Sequence, residues 1–122
     1  MRVSNIISKS ANVSQYSEIG EGALIVKNVG INPETQIAKN SIINTGSIIE
    51  HDCIIEDNVH IGPGTILSVG TYVGKNSFIA ASAIIIQNIN ISQDTLTGAG
   101  TVVVKDINEP GVYVGNPARR IK

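Results

Sequence analysis

The chain has 122 residues, 42% of them hydrophobic, which is enough to fill the core of one domain. Nine basic residues against ten acidic ones leave no cationic stripe of the kind that neutralises phosphates, so nucleic-acid binding is excluded. Cys53 is the only cysteine, which excludes an intramolecular disulfide or a multi-cysteine metal site. No apolar run approaches the roughly 20 residues of a membrane span, and Met1-Arg2-Val3-Ser4-Asn5 opens no signal-peptide core. The expectation is a soluble, cytoplasmic protein.

From Ile7 onward every sixth residue is aliphatic: Ile7, Val13, Ile19, Ile25, Ile31, Ile37, Ile43, Ile49, Ile55, Ile61, Leu67, Val73, Ile79, Ile85, Ile91, then Thr97 as the single lapse, then Val103. A period of six fits neither a lone helix nor a lone strand; it fits a unit of one short strand plus one turn, stacked many times. Four residues after each anchor stands a small or β-branched companion, from Ala11 and Ser17 through Ser41, Ser47 and Cys53 to Thr95 and Thr101. Anchor and companion both point inward if each hexad is a strand followed by a turn. Cys53 is thus a packing residue rather than a nucleophile. Turn-tolerant pairs follow the anchors, as in Glu21-Gly22, Lys39-Asn40, Thr45-Gly46, Asp57-Asn58, Pro63-Gly64 and Lys75-Asn76. Gly62-Pro63-Gly64 reads as a turn and not as a phosphate cradle, because no helix follows it.

This pattern resembles the hexapeptide repeat of left-handed parallel β-helices, in which three hexads close a triangular coil of 18 residues. The left hand is implied by that resemblance, since strand crossovers are otherwise right-handed. The fold expected is all-β, a hexapeptide-repeat solenoid of about five coils over residues 7–104 with a C-terminal tail over 105–122, in one domain spanning 1–122.

Sorting the outward residues by coil gives three faces. The first presents Leu24, Ile42, His60, Phe78 and Leu96. The second presents Gly30, Ile48, Ile66, Ile84 and Val102, with Ile86 and Val104 beside them. The third presents Glu18, Gln36, Ile54, Tyr72 and Asn90, and can meet water. Two long apolar stripes on one soluble chain predict that copies of the chain cover them. A closed ring built head to tail from two such faces is a homotrimer, the usual state in the resembled family.

The strongest local signal is Asn44-Thr45-Gly46-Ser47-Ile48-Ile49-Glu50-His51-Asp52-Cys53, continued by Ile55-Glu56-Asp57-Asn58-Val59-His60-Ile61. His51 and Asp52 occupy turn positions and so project from a corner. Imidazole suits proton transfer near neutral pH, and an adjacent carboxylate orients it and raises its basicity. The alternative at this point is a solvated surface histidine. The run resembles the signature of sugar O- and N-acetyltransferases that include sialic acid O-acetyltransferases and enzymes that N-acetylate UDP-linked 4-amino sugars. The resemblance implies His51 as general base, Asp52 as the residue that strengthens it, and His60 near the thioester of acetyl-CoA. It further implies Asn44 at the acceptor end and the backbone at Ala81 and Ala99 along the pantetheine arm. The segment Pro110-Gly111-Val112-Tyr113-Val114-Gly115-Asn116-Pro117-Ala118-Arg119-Arg120-Ile121 resembles the family's ending.

The function so implied is transfer of an acetyl group from acetyl-CoA to an amino or hydroxyl group of a sugar, nucleotide-linked, with His51 and His60 contributed by adjacent subunits and with no metal. Members of the family carry an α/β domain before the β-helix, whereas this chain begins almost at the first coil, as a minimal form, an excised fragment or an enzyme with a different acceptor. Ser8-Lys9-Ser10-Ala11 also departs from the family's His-Pro-Ser-Ala. Two further readings belong to other classes. A non-catalytic trimeric scaffold is opposed by the His51-Asp52 corner. A zinc hydratase of the β-helical carbonic anhydrase type needs three histidines, and the chain has two.

Overall fold

The computed structural model describes residues 3–122; Met1 and Arg2, the start of the segment read above as lacking a signal core, lie outside it. Nineteen short strands follow one another among the described residues, nearly all of two residues and separated by tight turns. From Ile6–Ile7 to Val102–Val103 the strands pair in parallel with those 18 positions away, so that Leu24 stands beside Ile42, Ile42 beside His60 and His60 beside Phe78. The result is a three-faced left-handed β-helix whose faces are sheets of eight, six and five strands.

The interior follows the hexad frame. The anchors from Ile25 to Ile91 are buried, and so are the companions between them. The structure gives a second reason for small polar companions. The hydroxyls of Thr35, Ser41, Ser47, Thr65 and Ser77 each donate to a backbone carbonyl of the next coil, at 2.8–3.1 Å. A hydroxyl in that slot is narrow and satisfied at once. The turn composition has an equally local cause. The second turn residue takes a left-handed φ near +60°, as at Asn40, Asp52, Asn58 and Asn76, or at Gly46 and Gly64 where φ is about 70°. Asn, Asp and Gly tolerate that region best, which is why they fill it.

The coil count exceeds the roughly five expected from the hexad frame. Gly111–Val114 lies in parallel beside Thr95–Thr97 and adds a rung to the first face, and Arg119–Arg120 returns antiparallel against it. The stack therefore has close to six coils, and the segment after residue 104 is its last coil and cap rather than a tail. Val112 and Tyr113 do not continue the six-residue spacing, because the chain leaves the frame at Lys105–Pro110, so the repeat pattern alone stops short of them.

On the first and second faces Phe78, Leu96, Ile48, Ile84 and Val104 remain about 40% exposed, and Ile54 is the corresponding residue of the third face. The apolar stripes read from the sequence are present as open surface.

Candidate active site

The chain order fixes which residues share an edge. Each coil passes from the first face through a first corner to the second face, then through a second corner to the third. Thr45-Gly46, Pro63-Gly64, Ala81-Ser82 and Ala99-Gly100 stack on the first corner. They are joined by N–H to carbonyl bonds of 2.9 Å from Gly64 to Thr45, Ser82 to Pro63 and Gly100 to Ala81. His51-Asp52 lies on the second corner, held by bonds from Asp52 N–H to Pro33 and from Gly70 N–H to the His51 carbonyl.

The geometry of the His51 turn follows from its backbone. With φ of 62° at Asp52, the carboxylate turns back along the corner, and its Oδ2 lies 2.7 Å from His51 Nδ1. Both side chains are about half exposed, at 50% and 58%. A carboxylate bonded to Nδ1 holds that nitrogen as the N–H donor and leaves Nε2 as the basic lone pair.

His60 lies on the first face, half-buried, with its imidazole stacked flat on the Phe78 ring at a centroid distance of 4.6 Å and an interplanar angle of 4°. Phe78 entered the sequence reading only as an apolar face residue. The signal for its role was present in the spacing, since residues 18 apart are ladder neighbours in this fold. Asn44, at the entrance to the first corner, uses its Oδ1 to accept from the Thr45 amide at 2.7 Å. Ala81 is half-buried and Ala99 exposed, and neither amide N–H has a protein acceptor among the described residues.

These residues fall into two groups. Asn44, Ala81 and Ala99 cluster along the first corner, next to the face of His60. His51 and Asp52 stand on the second corner, which is opposite the first face in a triangular prism. One protomer therefore does not bring His51 and His60 together. A cavity of about 710 Å³ lies between the third face and the corner of Lys39 and Asp57 and holds none of these residues.

Cys53 is buried beneath the His51 corner and its Sγ lies 3.3 Å from the Ser68 carbonyl. Burial pushes its thiol up to about 11, so it is a packed thiol and not a thiolate at neutral pH.

Comparison with known proteins agrees with this architecture. Residues 34–68, which include the His51 corner, match the bacterial transferase hexapeptide (six repeats) family. No curated protein matches the sequence. The chain is a left-handed β-helix of hexapeptide repeats, and its likeness to sugar N-acetyltransferases of this fold extends over its full length. A histidine-to-alanine mutant of GDP-perosamine N-acetyltransferase from Caulobacter crescentus, in complex with CoA and GDP-perosamine, is 35% identical with a TM-score of 0.98. The match covers 100% of this chain and 58% of that one. The acetyltransferase domain of PglB from Neisseria gonorrhoeae, in complex with acetyl coenzyme A, is 31% identical with a TM-score of 0.96, over 99% of this chain and 59% of that one. WeeI from Acinetobacter baumannii is 28% identical with a TM-score of 0.90, over 94% and 57%. The chain thus spans less than two thirds of the length of these proteins.

Proposed function

We propose that the protein is an acetyl-CoA-dependent acetyltransferase whose acceptor is the amino group of a nucleotide-linked sugar. The observation that carries the reading is the His51–Asp52 pair, 2.7 Å apart on a solvent-facing corner of a scaffold similar to CoA-bound acetyltransferases. In this reading the working site forms between subunits of a homotrimer. A second copy is needed because His51 and His60 sit on opposite sides of one prism, and the apolar first and second faces supply the contact surface.

His51 Nε2 takes a proton from the acceptor amine as the nitrogen attacks the thioester carbonyl, and Asp52 stabilises the imidazolium that results. As the tetrahedral intermediate collapses, the C–S bond breaks, the C–N bond remains, and the departing thiolate takes up the proton to leave CoA as thiol. His60 of the neighbouring subunit donates to the developing oxyanion, its ring held by Phe78. Asn44 orients the acceptor, and the free amides of Ala81 and Ala99 bind the amide carbonyls of the pantetheine arm. No covalent acyl-enzyme forms, and Cys53 takes no part.

The test is release of free thiol from acetyl-CoA in the presence of GDP- or UDP-linked 4-amino sugars. His51→Ala is expected to lower kcat by roughly 10²- to 10⁴-fold with little change in acetyl-CoA binding, and Asp52→Asn to give a smaller loss of the same kind. A His51→Ala protein with the wild-type rate would overturn the assignment of the base.

A further inference from the structure

We infer that Lys9 and Lys27, stacked on the first corner, bind the diphosphate of the acceptor and so restrict the enzyme to sugars carried on a nucleotide. This rests on the acetyltransferase reading and adds to it the residues that choose the acceptor class. Both lysines occupy the first position of their turns, as Thr45 does on the next rung, and project from the corner as His51 does from the second. The ladder beneath them is continuous. Ile6 pairs with Leu24 and Leu24 with Ile42, the Asn28 amide donates to Ser10 Oγ at 3.1 Å, and the Gly46 amide donates to the Lys27 carbonyl at 3.0 Å.

Charge separates this pair from ordinary surface lysines. Both are exposed, and neither forms an ion pair among the described residues. On the third corner the same turn position reads Glu21, Lys39, Asp57 and Lys75, so each lysine there has an acidic residue on a neighbouring rung. On the first corner it reads Lys9, Lys27, Thr45, Pro63, Ala81 and Ala99, which puts two like charges on adjacent rungs, where they repel. Within the hexad frame, no acidic residue stands on this corner or on the first and second faces that flank it. Covering those faces with copies of the chain takes water from the corner and leaves the pair without a counter-charge from its own subunit. A bound anion offsets the repulsion and the lost hydration together.

The position along the stack fits a diphosphate. Asn44, which orients the acceptor in the reading above, enters its turn one rung beyond Lys27 and two beyond Lys9, about 5 and about 10 Å at the spacing of parallel strands. In a nucleotide-linked 4-amino sugar the amine nitrogen is about six bonds from the nearer phosphorus and about eight from the further, or about 7 and 9 Å at the advance of an extended chain. The flexible lysine stems span the difference, and their ammonium groups suit phosphate oxygens. Ala81 and Ala99 lie on the other side of the Asn44 rung, so the pantetheine arm and the acceptor leave the reacting centre in opposite directions. Lys9 belongs to Ser8-Lys9-Ser10-Ala11, where the chain departs from the His-Pro-Ser-Ala of the resembled acetyltransferases, so this cation is not part of the resembled pattern.

The experiment is calorimetric titration of the full chain and of a Lys9→Ala/Lys27→Ala variant with UDP, GDP, inorganic phosphate and acetyl-CoA, with Lys9→Arg/Lys27→Arg as the conservative control. The wild type should bind one of the nucleoside diphosphates more tightly than inorganic phosphate. The alanine variant, checked for an unchanged melting curve, should lose about tenfold or more for that ligand and nothing for acetyl-CoA, and the arginine variant should keep most of the affinity. In the thiol-release assay the alanine variant should show a raised KM for the nucleotide-linked amino sugar, with kcat/KM for the same sugar lacking its nucleotide unchanged. Unchanged nucleoside diphosphate affinity in the alanine variant, or a wild type that holds inorganic phosphate as tightly as UDP and GDP, would overturn the site and leave the acetyltransferase reading standing. An equal loss for acetyl-CoA would assign the lysines to the cofactor, and a sedimentation shift toward the monomer would assign them to an ion pair with Glu34 of the neighbouring subunit; either result overturns the site. A wild type that binds acetyl-CoA but neither nucleoside diphosphate overturns it too, and one that binds none of the four would overturn the acetyltransferase reading with it.

Discussion

The one lapse in the hexad frame makes a sharp stability prediction. Thr97 occupies an anchor slot that is aliphatic in every other hexad, and it is fully buried, beside Ile79 on one side and Tyr113 on the other. Its Oγ1 has no hydrogen-bond partner among the described residues, unlike the companion hydroxyls that donate to the next coil. Valine has the same shape with a methyl in place of the hydroxyl. Thr97→Val should therefore remove a desolvation cost of about 1–3 kcal/mol without creating a cavity or a clash. Tyr113, the register partner of Thr97 on the next rung, packs against the core, and valine keeps the size of the threonine it replaces. For a domain of this size a gain of 1–2 kcal/mol corresponds to a rise in Tm of about 3–10 °C. The assay is thermal unfolding of both proteins by circular dichroism at one protein concentration, with Thr97→Ser as the control that keeps the hydroxyl and loses the methyl. A Thr97→Val protein that melts at or below the wild-type temperature would refute the reasoning, because it would mean that the hydroxyl is satisfied.

Other perturbations follow from the same interior. A Cβ at Gly62 would lie 2.7–2.8 Å from backbone atoms of Ala80 and Ala81 on the next rung, whereas at Gly30 it would meet nothing within 4 Å. Gly62→Ala should cost about 1–3 kcal/mol by overpacking, while Gly30→Ala should be neutral or stabilise by about 0.4–1 kcal/mol; melting temperatures of the pair test both signs. Cys53 titrates near 11 when folded against 9.0 for a free thiol. The folded chain therefore holds the proton longer than the unfolded one, and the stability this contributes is complete below about pH 9 and lost between about 9 and 11, by up to roughly 2–3 kcal/mol. Denaturant titrations of wild type and Cys53→Ala across that window should converge at high pH once other titrating groups cancel, and acetyl transfer should be retained in the variant. Ile84→Asp, which places a charge on the open apolar second face, should shift the sedimentation coefficient toward the monomer if that face joins copies of the chain.

The sequence alone determined the architecture to an unusual degree, because a solenoid repeats one local problem. Each hexad needs a large inward residue, a small inward residue and a turn that admits a left-handed φ, so the identity of Ile43, Ser47, Gly46 and their counterparts carries the fold in short-range terms. The same periodicity placed His51-Asp52 on a corner and His60 on a face, and both are where the spacing puts them. Only the three-dimensional structure decided three other matters. It showed the His51–Asp52 contact at 2.7 Å, which depends on the backbone angle at Asp52. It showed His60 flat against Phe78, which depends on rotamers that no spacing specifies. It returned the chain after Lys105 to the stack as a further rung and opened a cavity between Lys105 and Arg119. Those contacts join residues outside the hexad frame, and with no repeat to report them, their register is set by packing against the last coil.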